Sequence, residues 1–115
     1  MHKMKLQPAF FYYMLNGTKR IELRLNDEKR QLINIGDQIL FLKEPNLDEE
    51  FLTKVTNIYK YDSFNDLFND FEIDVLADKN MSKKELLSEL EKYYTKEAQD
   101  KYGVLGIEIE IIKDK

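Results

Sequence analysis

The chain has no cysteine, no tryptophan and a single histidine, His2. Without cysteine there is no disulfide framework, no thiolate zinc site and no thiol nucleophile. With one histidine near the N-terminus, a multi-histidine metal centre is excluded, and a Ser-His-Asp triad would have to be built on His2. Only 4 glycines and 2 prolines are present, and they form no flexible linker. No apolar run approaches the ~18–20 residues needed to span a bilayer. No signal-peptide pattern opens the chain, so a soluble, cytoplasmic protein is expected. Positive charge is also in deficit: the net charge is −4 and the pI about 5.1. That is the wrong sign for a protein that coats nucleic acid by bulk electrostatics.

What is present fits one domain over residues 1–115, with 43% hydrophobic residues for its core. The charge is unevenly spread. Residues 1–30 carry 7 Lys and Arg against 3 Asp and Glu, whereas the remainder carries 11 against 19. A local basic patch on an acidic body favours a short or small anionic ligand over a long duplex. No ordered Asp/Asn spacing points to a divalent-ion loop, and neither G-x-x-x-x-G-K-[ST] nor G-x-G-x-x-G occurs. No metal and no cofactor are expected.

The few glycines and prolines punctuate the pattern. Met4–Leu6 reads as a short lead-in strand. Pro8 suits the first turn of a helix, along which Phe11, Met14 and Leu15 follow at helical spacing; Gly17 ends it. Arg20–Leu25 alternates as a half-buried strand, with Arg20, Glu22 and Arg24 on one face and Ile21, Leu23 and Leu25 on the other. Residues 26–30 form a charged turn or short helix. Gly36-Asp37 precedes a strand over 38–42 that is apolar on both faces, as a central strand is. Phe51–Tyr61 is a long strand whose imperfect alternation predicts a bulge or bend. Two helices follow. Ser63 caps the first, which presents Phe64, Leu67, Phe68 and Phe71; the capping box Ser82/Glu85 opens the second, with Leu86, Leu87, Leu90 and Tyr94 inward. Thr95–Tyr102 is a further short helix closed by Gly103, and Ile107–Ile111 is a final strand. Helices this few and this clustered do not suit a doubly wound sheet. A small, mostly antiparallel α+β barrel or curled sheet with flanking helices does.

Candidate chemistry concentrates in Gly17-Thr18-Lys19-Arg20-Ile21-Glu22-Leu23-Arg24, a G-x-K-x-x-E-x-R segment at a helix-to-strand junction. Glu22 and Arg24, two apart on a strand, leave the same face. A carboxylate between two cations stays ionised, and Arg24 offers a planar fork for a phosphate or a base edge. A lysine beside an arginine can act as a nucleophile or base if its pKa is lowered. On spacing alone, an exposed strand face with ordinary ion pairs is the leading reading. Asp27–Arg30 reads as solvated surface, with Arg30 as a further lining residue if a cleft is there. Tyr93, Tyr94 and Tyr102 are rim candidates for stacking on a base, or core rings with wet hydroxyls.

Taken together, G-x-K-x-x-E-x-R, Arg30, the Gly36-Asp37 turn, Tyr93-Tyr94 and Tyr102-Gly103-Val104-Leu105-Gly106-Ile107 resemble the ASCH domain family, a branch of the PUA-like superfamily. The resemblance covers most of the chain. It implies a PUA-like β-barrel with flanking helices and a cleft beside the motif that binds RNA, a nucleotide or a modified nucleoside. Lys19, Glu22, Arg24, Arg30 and Tyr102 would contact the ligand. A subgroup of the family resembles small amidohydrolases acting on N4-acetylcytidine through a lysine, a threonine and a glutamate. Lys19 matches that lysine. Glu22 stands where the threonine is expected, and Lys79-Asn80-Met81 offers no glutamate, although Asp78 adjoins it. If the protein is an enzyme, a nucleoside amidohydrolase or RNA hydrolase, Lys19 and Glu22 are the catalytic candidates. A protein-interaction module is the third reading, and the acidic pI agrees with it.

Overall fold

The computed structural model describes residues 1–113. Strand β1 (His2–Leu6) leads into helix α1 (Pro8–Leu15), which begins at Pro8 because the first turn needs no proline N–H. Gly17, at φ 87°, reverses the chain into β2 (Ile21–Leu25). A 3-10 turn over Arg30–Leu32 precedes β3 (Gln38–Lys43), and β4 (Glu50–Tyr61) returns antiparallel to it. Four short helices follow: α2 (Phe64–Phe68), α3 (Ile73–Leu76), α4 (Lys83–Glu91) and α5 (Lys96–Tyr102). Strand β5 (Val104–Ile111) closes the order.

The five strands form one sheet in the order β1-β3-β4-β5-β2. All neighbours are antiparallel except β1 and β3, which run parallel. The sheet curls into a half-barrel, the α+β PUA-like architecture. Its two edge strands are β1 and β2, which the Arg24 side chain ties together across the open seam. An edge carbonyl is thereby satisfied by a side chain instead of a sixth strand.

Two apolar clusters flank the sheet. One gathers Met4, Leu6, Phe11, Met14, Phe41, Phe51, Leu105 and Ile107 beneath α1. The other gathers Ile21, Leu23, Phe64, Leu67, Leu76, Leu86 and Val104 beneath the later helices. Strand β5 contributes to both, as a strand buried on two faces does.

Several local expectations hold. β4 carries a register shift between Val55 and Asn57, the predicted bulge. Ser63 Oγ accepts from the Asp66 N–H, and Ser82 with Glu85 forms a full capping box. Others are revised. Leu15 is exposed, because α1 ends there and its buried stripe is Phe11 and Met14. Phe71 lies beyond the end of α2, and Tyr94 beyond the end of α4, although both stay partly buried against the second cluster. The last strand starts at Val104, three residues earlier than its alternation signals, since both faces of its first residues are buried. Helix α3, one turn long, has too few residues to show a period and was not expected.

The largest revision concerns the charged face of β2. Glu22 pairs across to Ile107 and Arg24 to Leu105, both members of the first apolar cluster. The face that reads as exposed is therefore the concave inner face of the curled sheet.

Candidate functional site

The junction between α1 and β2 is built to turn Lys19 inward. The Thr18 and Lys19 N–H groups both donate to Tyr13 O, wrapping the chain tightly around the end of α1. Lys19 retains only 2% of its exposed surface. Its Nζ donates to Ile21 O at 2.6 Å and to Leu76 O at 2.8 Å, and sits 3.3 Å from Glu22 Oε1. An ammonium has three donors, and all three are taken within the fold. Leu76 ends α3, so the unexpected helix supplies one of the acceptors.

Glu22 is 5% exposed and equally saturated. Oε1 accepts from the Leu23 N–H at 3.0 Å as well as from Lys19, while Oε2 accepts from Arg24 Nε at 2.9 Å and Nη2 at 2.8 Å. Arg24 Nη2 also donates to Lys5 O at 2.7 Å on the opposite edge strand. Two of the guanidinium nitrogens are thus committed to the fold. Glu22 and Lys5 O do not use Nη1, and the Tyr94 phenol adjoins the guanidinium as a further neighbour.

Burial and charge act against each other here. Burial lowers the Lys19 pKa, and the neighbouring Glu22 opposes that only in part, so the net direction is downward. For Glu22 burial pushes the carboxyl up, but Arg24, Lys19 and the Leu23 N–H together outweigh it and hold the carboxyl below its usual range. For Arg24 burial works against the charge, yet the Glu22 carboxylate raises its pKa overall. Burial raises the Tyr94 phenol, which keeps its proton as a donor.

Above this triad opens a cleft of about 280 Å³. Lys19, Glu22 and Arg24 lie along its floor, and Phe10, Leu90 and Tyr94 form its walls. Gln7 and Tyr93 stand at the mouth, where Gln7 Nε2 donates to the Tyr93 hydroxyl, while Lys5, Glu44 and Glu89 complete the rim. The cleft occupies the seam between the two edge strands.

Lys19, Glu22 and Arg24 are therefore brought together. Arg30 and Tyr102 do not line the cleft: Arg30 sits in the turn beyond β2, and Tyr102 ends α5 with Lys101 Nζ 5.0 Å from its ring centre. Tyr93 and Tyr94 occupy the rim and wall. Gln7, Phe10 and Leu90 carry no signal in the sequence that separates them from ordinary helix-end and core positions. Among the described residues no cluster of His, Asp and Glu could hold a metal ion, and no helix is long and apolar enough to cross a membrane.

Comparison with known proteins identifies the family and the fold. The family model of the ASCH domain matches residues 4–113. The chain belongs to the ASCH domain family. Its fold is similar to that of hypothetical protein PH0355, with a TM-score of 0.84 and 34% identity over 96% of this chain and 97% of that one. It is also similar to protein PF0455 from Pyrococcus furiosus, with a TM-score of 0.75 and 29% identity over 98% of each chain. The likeness to the ASCH protein from Zymomonas mobilis is one of fold, with a TM-score of 0.65 and 13% identity over 94% of this chain and 65% of that one. No curated protein matches the chain. In this ASCH domain Lys19 and Glu22 of the G-x-K-x-x-E-x-R segment are buried along the cleft rather than set on a solvated strand face.

Proposed function

We propose that this ASCH domain binds a nucleobase-bearing ligand, an RNA segment, a nucleotide or a modified nucleoside, in the cleft above Arg24. The observation that carries the reading is the state of the Arg24 guanidinium. Glu22 and Lys5 O engage Nε and Nη2 and leave Nη1 to neither of them, with Arg24 and the Tyr94 phenol lining the cleft together. A planar fork held rigid suits the acceptor edge of a base or a phosphoryl oxygen. Aromatic and apolar walls beside it, Phe10, Tyr94 and Leu90, offer a stacking surface worth about 1–3 kcal/mol per base. The volume lies just below the usual range of small-ligand pockets, about 300–1,000 Å³. One base or nucleoside fits that space, and a duplex does not. The acidic remainder of the chain points the same way.

A hydrolase at this site would need a lone pair on Lys19 or an unengaged carboxylate oxygen on Glu22. Two carbonyls and a carboxylate occupy Lys19, and four donors occupy Glu22. Both groups are better suited to holding Arg24 in place than to exchanging protons.

The test is a binding screen of ribonucleosides, ribonucleotides and short RNA oligomers by calorimetry, repeated with Arg24→Lys. Lysine keeps the charge beside Glu22 but loses the fork. Affinity should fall about tenfold or more, and a circular-dichroism melt establishes that the variant, which also loses the fork that joins Glu22 and Lys5 O, is still folded. A variant that binds like the parent, or a parent that binds no member of the screen, would sink the reading.

The Gln7–Tyr93 contact spans the mouth of the cleft, and Tyr93 is 60% exposed. Gln7→Ala removes the contact without touching the core, so stability should change by no more than about 0.5 kcal/mol. Ligand association measured by stopped flow should become faster. An unchanged rate would show that the contact does not gate entry.

A further inference from the structure

Helix α1 is eight residues of proline, alanine, phenylalanine, tyrosine, methionine and leucine, with no charged side chain. Phe11 and Met14 are buried in the first apolar cluster, and Phe10 lines the cleft. The face that remains is apolar as well. Pro8, Ala9, Tyr12 and Leu15 reach solvent, Tyr12 with 41% and Leu15 with 44% of its surface exposed. Positions 8, 12 and 15 are i, i+4 and i+7, so they form one row along the helix, with Ala9 beside its start. A surface helix ordinarily turns charged residues outward, and a helix that is apolar all round is ordinarily covered on every side. The outer row of α1 fits neither pattern in an isolated chain.

Tyr12, at the centre of the row, is held in place. Its hydroxyl donates to Glu49 Oε2 at 3.2 Å and accepts from Lys43 Nζ at 3.0 Å, and Lys43 and Glu49 pair with each other. Lys43 Nζ also lies 5.2 Å from the ring centre, and the Phe11 ring meets the Tyr12 ring edge-on at 5.6 Å. An exposed aromatic fixed at its tip loses little freedom when a partner covers it, and such side chains anchor interfaces. The row also complements its own copy. With two α1 helices antiparallel about a two-fold axis at Tyr12, Leu15 of each lies over Ala9 of the other, a large side chain over a small one. The groups beside Tyr12 are one cation and one carboxylate, so the edges that meet carry both signs. They do not repel, although the chain as a whole carries −4.

We infer that the outer face of α1 is a self-association surface, on which a second copy of this chain packs antiparallel through Pro8, Ala9, Tyr12 and Leu15. Eight residues at about 1.5 Å each, one helix of about 10 Å wide, give a contact well below the ~800 Å² per partner of a stable complex. The dimer is therefore a weak one that forms as concentration rises, with a dissociation constant on the order of 0.1–1 mM. Phe10 faces the cleft from another side of the same helix, so ligand binding there and pairing through α1 are separate properties.

The test is sedimentation equilibrium of the full chain from about 10 µM to about 1 mM. The average mass should rise with concentration toward that of two chains. Ala9→Glu and Leu15→Lys should each weaken association at least about tenfold. Both positions are exposed, and a carboxylate in the first turn and an ammonium in the last suit the helix dipole, so circular-dichroism melts should match the parent. The double variant Ala9→Glu with Leu15→Lys should regain association, because antiparallel pairing sets each introduced carboxylate against an introduced ammonium. Added salt should weaken the double variant and spare the parent, whose contact is apolar. A parent that is monomeric at about 1 mM overturns the inference, and flotation with neutral phosphatidylcholine vesicles would then assign the row to a lipid surface. Association untouched by either single variant overturns it too, since the contact must then lie elsewhere. A double variant that stays monomeric refutes the antiparallel pairing.

Discussion

Replacing Glu22 by glutamine should cost the protein about 3–5 kcal/mol of unfolding free energy, the usual consequence of removing one partner from a buried ion cluster. Glutamine matches the shape but not the charge. It would leave Lys19 and Arg24 facing each other at the floor of the cleft with no carboxylate between them. For a chain of 115 residues this corresponds to a melting temperature lower by roughly 10–20 °C. Urea or thermal denaturation of the purified variant measures it. A loss below about 1 kcal/mol would mean that the triad is solvated like a surface pair.

The same triad sets a pH dependence with a definite sign. Glu22 is held below its usual carboxylate range in the folded protein. Its contribution is present above the unfolded pKa and is lost as pH falls through the folded pKa. Lys19 is lowered by burial, so below its folded pKa the folded state carries the penalty of a buried charge. That penalty is relieved as pH rises toward the ordinary lysine range. Both groups make stability rise with pH in their own windows, one acidic and one alkaline. Glu22→Gln should remove the acidic component from the stability curve.

Gly103→Ala should be the second large loss. Gly103 adopts φ 72° and ψ −177°, a combination that side-chain-bearing residues essentially do not take, at about 1–3 kcal/mol. A methyl group would also stand 3.0 Å from the backbone carbonyl of Tyr61. A carbonyl in the β4–β5 ladder cannot swing away as a flexible side chain can, so the steric term adds to the backbone term. Gly36, at φ 96° with nothing within 4 Å, is the control. Gly36→Ala should cost only the backbone term, and equal losses at the two positions in urea titrations would refute the contact argument. The position matters for the site, because Gly103 O accepts the Asn26 N–H and so fixes the end of β2.

The elements legible from the sequence are those with a strong local signal. Pro8, Gly17, Ser63, and Ser82 with Glu85 marked helix ends that the structure keeps, because capping chemistry is settled within a few residues. The broken alternation of 51–61 announced the β4 bulge. Helix α3 was hidden, since a single turn shows no period.

The membership of the ASCH family and the grouping of Lys19, Glu22 and Arg24 were legible in the sequence as spacing. Their burial was not. Alternation along β2 says that Glu22 and Arg24 share a face, but it cannot say whether that face meets water. That was decided by the curl of the sheet, which brings edge strand β1 opposite edge strand β2 and places Lys5 O against Arg24. Likewise the third acceptor of Lys19 comes from Leu76, distant in sequence, and Gln7 and Tyr93 meet across the cleft only because α4 folds over the seam. Local chemistry chose the residues. Long-range closure, which no short stretch of sequence encodes, converted a charged strand face into a buried, hydrogen-bonded floor along which Arg24 lines the cleft.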